Sequence, residues 1–94
     1  MYIVAQFHAK PDCEHALSEA LLAIVGPTRA EPGCIEIHLY RGLGDSAAFF
    51  IQSAWINEEE FEKHAALPHM TAFLSQVAKW IDHELRVVRC ALLA

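Results

Sequence analysis

Apolar positions along this chain switch between a period of two and a period near 3.6. Tyr2 to His8 (YIVAQFH) is β-branched and aromatic, with Ile3, Ala5 and Phe7 on one face and Tyr2, Val4, Gln6 and His8 on the other, which predicts a strand. Lys10 and Pro11 end it. Asp12 is placed to cap a helix, its carboxylate accepting first-turn amides, and Glu14 stands near the positive end of the helix dipole. Leu17, Leu21, Ile24 and Val25 then recur at helical spacing. Gly26-Pro27 is expected to weaken or end this helix, with Thr28 to Glu31 open as a final turn. After the Pro32-Gly33 turn, Cys34 to Arg41 (CIEIHLYR) alternates, with Ile35, Ile37 and Leu39 against Glu36, His38 and Tyr40. The connection RGLGDS carries two glycines that allow positive φ. It leads into a strand from Ala47 to Trp55, so these two strands form a hairpin.

Asn57 followed by Glu60 is a capping-box pattern, and Ile56 with Phe61 is suited to a hydrophobic staple across the helix start. Pro68 disfavours helical geometry at Leu67 and breaks the helix there, yet it suits the first position of a new one. Met70, Phe73, Leu74, Val77, Trp80 and Ile81 continue with an apolar stripe, and Leu85 to Leu92 reads as a last strand. The order β-α-β-β-α-β, with the second helix broken, predicts an α+β ferredoxin-like domain over residues 1–94. Its four-stranded antiparallel sheet carries the helices on one face. The other face would expose Tyr2, Val4, His8, Tyr40 and Phe50, together with Leu85 and Val87, and such a face is costly in water.

Composition points the same way. The chain has 94 residues, of which 54% are hydrophobic. A domain of this size buries only about 60–65% of its unfolded surface, so a second copy packed on the bare sheet face is expected. The net charge of −5 and the lack of a basic, aromatic-studded stripe exclude nucleic acid as a partner. No apolar run is long enough to span a bilayer, and no basic-then-apolar leader is present, so the mature chain is expected to start at Met1. Cys13, Cys34 and Cys90 are odd in number and widely spaced, which suits free thiols in the cytoplasm.

The candidate chemistry lies between Ala48 and Phe73. His64 and His69 bracket Pro68 beside the end of an apolar strand. An imidazole there can accept a proton near neutral pH, or it can simply bond the carbonyls freed by the helix break. The i, i+5 spacing does not match the i, i+4 zinc helix, and no cysteine is near, so no metal is expected. Trp55, Phe7, Phe61, Met70 and Phe73 are either plain core or the apolar walls of a substrate pocket. Ser53 lacks the context of an activated nucleophile. Without a glycine-rich phosphate loop, no nucleotide or flavin cofactor is expected.

Three features together, Trp55, the helix ending FEKHAALPHMTAF and the turn EPGC (Glu31 to Cys34), resemble the antibiotic biosynthesis monooxygenase family, above all its small bacterial quinol monooxygenase branch. The resemblance covers nearly the whole chain, and the H-x-x-x-P-H stretch, His64 to His69, is its most specific part. It implies a homodimer whose two sheets form an α/β barrel, with a pocket between sheet and helices in each subunit. It also implies an oxygenase without cofactor that oxidises a small quinol or phenol with O2. His64 or His69 would be the base, and Trp55, Phe7, Phe61, Met70 and Phe73 the walls. In the family's haem-degrading branch an Asn stands where this chain has Phe7, and a haem-ligating His falls near Leu74, so haem is not expected. The autoinducer-2 phosphate isomerase branch shares the His-Pro-His pattern. An isomerase of a small phosphorylated ligand, held by Arg29, Arg41 or Arg86, is therefore the second reading. A non-catalytic dimeric ligand-binding domain is the third.

Overall fold

A computed structural model describes residues 1–94. The elements are β1 (Tyr2–His8), α1 (Glu14–Arg29), β2 (Cys34–Arg41), β3 (Ala48–Trp55), α2 (Glu58–Ala65), α3 (Pro68–Val77) and β4 (Arg86–Cys90). The strands form one antiparallel sheet in the order β2-β3-β1-β4, which is the ferredoxin-like α+β arrangement. Ile3, Ala5 and Phe7 of β1 share a face with Phe49, Ile51, Ser53 and Trp55 of β3, and these residues are buried. The helices lie over that face, where Leu17 and Leu21 of α1 and Val77 of α3 fill the core. The other face carries no helix. Tyr2, Val4, Gln6 and His8 lie there in register with Ala54, Gln52, Phe50 and Ala48.

Local chemistry explains most boundaries and several departures from the expected ones. The Asn57 side chain caps α2, its Oδ1 accepting the Glu60 amide at 2.9 Å. Ile56 stays exposed instead of stapling the helix, and Phe61 packs on Trp55. Pro68 opens α3 after an extended Leu67, as the proline geometry requires.

Asp12 does not cap α1. It takes φ 68° in the turn before the helix, and Cys13 stands at the cap position without a side-chain bond. The helix also runs through Gly26-Pro27 to Arg29, because the lost proline amide lies one turn from the end. There the tighter bonds Ala30 N–H to Pro27 O and Glu31 N–H to Thr28 O take over. Neither Gly42 nor Gly44 uses positive φ; Gly42 is instead required by closeness, since a Cβ there would lie 2.6 Å from the Asp45 carbonyl oxygen. A bulge between Cys34 and Glu36 turns Ile35 out of the alternation of β2, leaving it exposed. β4 is shorter than expected, and its register puts Arg86, Val88 and Cys90 on the bare face. Leu85 and Val87 therefore belong to the helix side.

Candidate active site

His64 stands in the last turn of α2, and its side chain is buried. Its Nδ1 lies 2.8 Å from Oε2 of Glu31. Glu31 belongs to the turn between α1 and β2, and that turn is held against α2 from two sides. The Ile56 amide donates to the Gly33 carbonyl at 3.0 Å. A Cβ on Gly33 would fall 2.5 Å from Cβ of Glu60, so only glycine lets the turn come this close. With Nδ1–H donating to the Glu31 carboxylate, the neutral ring keeps its lone pair on Nε2, and Nε2 has no hydrogen-bond partner in the chain.

Trp55, at the end of β3, lies under this pair. Its ring centroid is 4.7 Å from that of His64 at 38°, and Phe61 meets the indole edge-on at 5.8 Å. The indole N–H donates to Oγ of Ser53 at 3.0 Å. The serine hydroxyl is thus committed to holding the tryptophan, and no base stands beside it.

Between sheet and helices is a cavity of about 200 Å³. Its lining is apolar except for Ser53 and His64. Phe7, Trp55, Phe61, Met70 and Phe73 all contribute walls, and Leu85 and Val87 close the β4 side. Leu74 and Val87 line it and are also exposed, so the mouth lies between α3 and the edge strand β4. An apolar cavity of about 150 Å³ takes up benzene, so this one has room for a single substituted ring.

His69 is not part of this arrangement. It lies exposed near the start of α3 and outside the cavity lining, so of the two candidate bases only His64 lines the cavity, and the expectation for His69 is corrected. Nor do the imidazoles cap the helix break: His64 bonds a carboxylate, and the Leu67 amide is satisfied by the His64 carbonyl oxygen. None of Arg29, Arg41 and Arg86 lines the cavity. Arg29 donates to the Ile37 carbonyl, Arg41 covers the Phe49 ring, and Arg86 lies on the bare face. Burial pushes the Cys34 thiol up, and the Glu31 charge adds to this, so it is a poor nucleophile.

Glu31 is the residue that sequence reasoning missed. It is 33 positions from His64, and no spacing rule joins them. The signal was topological: a β2–β3 hairpin pairs Cys34 with Trp55, which brings the residues just before β2 to the foot of α2.

A second histidine–carboxylate cluster lies at the opposite end of β1. His8 places Nδ1 2.7 Å from Oδ1 of Asp82 and Nε2 2.8 Å from Oδ2 of Asp45. Asp82 Oδ1 is also 2.6 Å from Nδ1 of His83. The two carboxylates, Asp82 first, raise the His8 pKa above its ordinary 6.5. His8 holds Asp45 below the usual carboxylate value; His83 and then His8 do the same to Asp82.

Relatives share this fold and its helix-over-sheet plan. The curated relative Rv0793 of Mycobacterium tuberculosis, provisionally named a monooxygenase, is 29% identical over 85 residues, covering 90% of this chain and 83% of its own length. Its structure superposes with a TM-score of 0.93 at 27% identity, covering 99% of this chain and 94% of that one. The structure of PA3566 from Pseudomonas aeruginosa gives 0.91 at 27% identity, covering 99% and 93%. The profile of one family, antibiotic biosynthesis monooxygenase, matches residues 1–76, a span that runs from β1 through most of α3 and takes in Glu31, Trp55 and His64. The chain belongs to the antibiotic biosynthesis monooxygenase family.

Proposed function

We propose that the protein is a cofactor-independent monooxygenase that oxidises a small quinol- or phenol-like compound with O2. The observation that carries this reading is one buried imidazole, its Nδ1 held by Glu31 and its Nε2 unpartnered, on the wall of a cavity whose only other polar residue is Ser53. Such a cavity favours an aromatic ring, and an unpartnered nitrogen favours a ring that carries an acidic hydroxyl. Nε2 of His64 takes the hydroxyl proton, and the anion left behind is electron-rich enough to reduce O2 directly. With a hydroquinone, one oxygen atom enters the ring and the other leaves as water; the substrate supplies all four electrons and becomes a hydroxyquinone. The dry walls formed by Phe7, Trp55, Phe61, Met70 and Phe73 hold the ring and keep water from the reactive intermediates. Arg29, Arg41 and Arg86 stand away from the cavity, which leaves a phosphorylated ligand without a charge partner there.

The test is O2 uptake across a panel of one- and two-ring hydroquinones and phenols, with native protein and His64→Ala side by side. Uptake with at least one compound, lost in the variant, is expected. No uptake by native protein, or equal uptake by both, overturns the reading.

The same reading takes the working unit to be a homodimer joined through the bare sheet face, in the reducing cytoplasm, where three free thiols persist. That face exposes Tyr40 and Val88, and a stable association would remove them from water. Light scattering should give twice the mass of one chain, and Val88→Glu should shift it toward the monomer. A native monomer at micromolar concentration overturns this part.

A further inference from the structure

We infer that the cluster at the end of β1 binds one divalent first-row transition-metal ion of the zinc type. His8, Asp82 and His83 would be its protein ligands, and Asp45 the residue that orients His8. One ligand atom from each of His8, Asp82 and His83 lies within 4.8 Å of the other two. Two imidazoles and a carboxylate form a nitrogen–oxygen set suited to this class of ion. Bonds of about 2.1 Å in tetrahedral geometry put ligand atoms roughly 3.4 Å apart. The contacts of Asp82 Oδ1, 2.7 Å to His8 and 2.6 Å to His83, reach this spacing by small rotations about the side-chain bonds.

Two further features separate this cluster from a chance surface ion pair. First, Asp45 Oδ2 faces Nε2 of His8 at 2.8 Å. With the ion in place of the Nδ1 proton, a carboxylate there would keep the N–H on Nε2 and leave the Nδ1 lone pair for the ion, as an orienting carboxylate does behind a metal-bound histidine. Second, the backbone at His8, Asp82 and Asp45 is tied down. The Asp82 amide donates to the His8 carbonyl at 3.1 Å, and the Lys10 amide to the Trp80 carbonyl at 2.7 Å. The Ala47 amide donates to Oδ1 of Asp45 at 3.0 Å. The end of β1 and the connections before β3 and before β4 are therefore already in place. Glu84 and Arg86 border the same groove and offset each other in charge, so the ion meets the net negative charge of the two aspartates. None of these residues lines the cavity of His64. The ion would act as a clamp between three segments, apart from the chemistry there.

The experiment is equilibrium dialysis of the metal-stripped full chain against Zn²⁺, paired with thermal melting. One ion per chain is expected, with a melting temperature raised by saturating Zn²⁺. The His83 side chain is 70% exposed, so His83→Ala leaves the fold intact, and it should weaken binding at least tenfold. Asp45→Asn should weaken it by about 10-fold or more through the orientation of His8. His15→Ala, an exposed histidine on α1, should bind as the native chain does. No binding at micromolar Zn²⁺, or binding unchanged in His83→Ala, overturns the assignment.

Discussion

His64 and His8 both face carboxylates, but the two sites differ in burial and in how many ring nitrogens are occupied. His64 and Glu31 have side chains 8% and 17% exposed, and the carboxylate takes one nitrogen. His8 and its partners Asp45 and Asp82 are 30%, 56% and 32% exposed, and carboxylates face both nitrogens. The same chemical groups thus sit in different settings. A ring tied once keeps a lone pair with nothing inside the chain to use it, which is what a proton acceptor needs. A ring tied twice has no nitrogen left for a substrate, and it joins distant stretches of chain. A histidine next to a carboxylate is therefore not informative by itself; the unoccupied nitrogen and the space beside it are.

The contrast can be broken first at the buried pair. Removing the His64 ring should lower turnover by about 100-fold or more, the usual scale for a positioned base, while the far-ultraviolet spectrum stays native. If Glu31 acts only by holding the ring, Glu31→Ala should lower kcat by roughly 10-fold, about 1.4 kcal/mol on the barrier, with KM close to native. Glu31→Gln, whose amide oxygen can still accept from Nδ1, should recover part of that loss. Equal kcat in Glu31→Ala and native protein would make the pair a packing contact.

The smallest effect belongs to the exposed cluster and is read in the presence of EDTA. The raised pKa of His8 makes its contribution to stability complete below its ordinary 6.5, and this is lost as pH rises through the raised value. The lowered pKa values of Asp45 and Asp82 make theirs complete above the ordinary 3.8, and this is lost as pH falls through the depressed values. Denaturation midpoints of native protein and His8→Gln should therefore differ most between about pH 4 and 6.5 and converge toward alkaline pH. A difference that grows above pH 8 would show that His8 acts through packing.

Much of the fold was legible because each element is marked by its own residues. Asn57 and Pro68 state where α2 and α3 begin, and β-branched and aromatic runs mark β1 and β3. The errors fell where tertiary contact overrides local preference. Pro27 stays in α1 because Leu17, Leu21 and Val25 are locked into the core. Ile35 leaves its face because β2 bulges to bring Cys34 opposite Trp55. The cavity walls could be named from the sequence because large apolar residues stand at the ends of β1 and β3 and along α2 and α3. The Glu31 contact and the exclusion of His69 could not. Both depend on where a short helix settles against a turn, which no periodicity encodes.

α2 has eight residues, and a helix that short does not persist alone in water. It is held by its Asn57 cap, by Trp55 and by the Glu31–Gly33 turn. Transient fraying of this one segment would swing the imidazole away from the indole while all four strands stay paired. If His64 is the proposed base, activity should then be lost at a lower temperature or denaturant concentration than the sheet, in a chain that keeps its shape after it has stopped working.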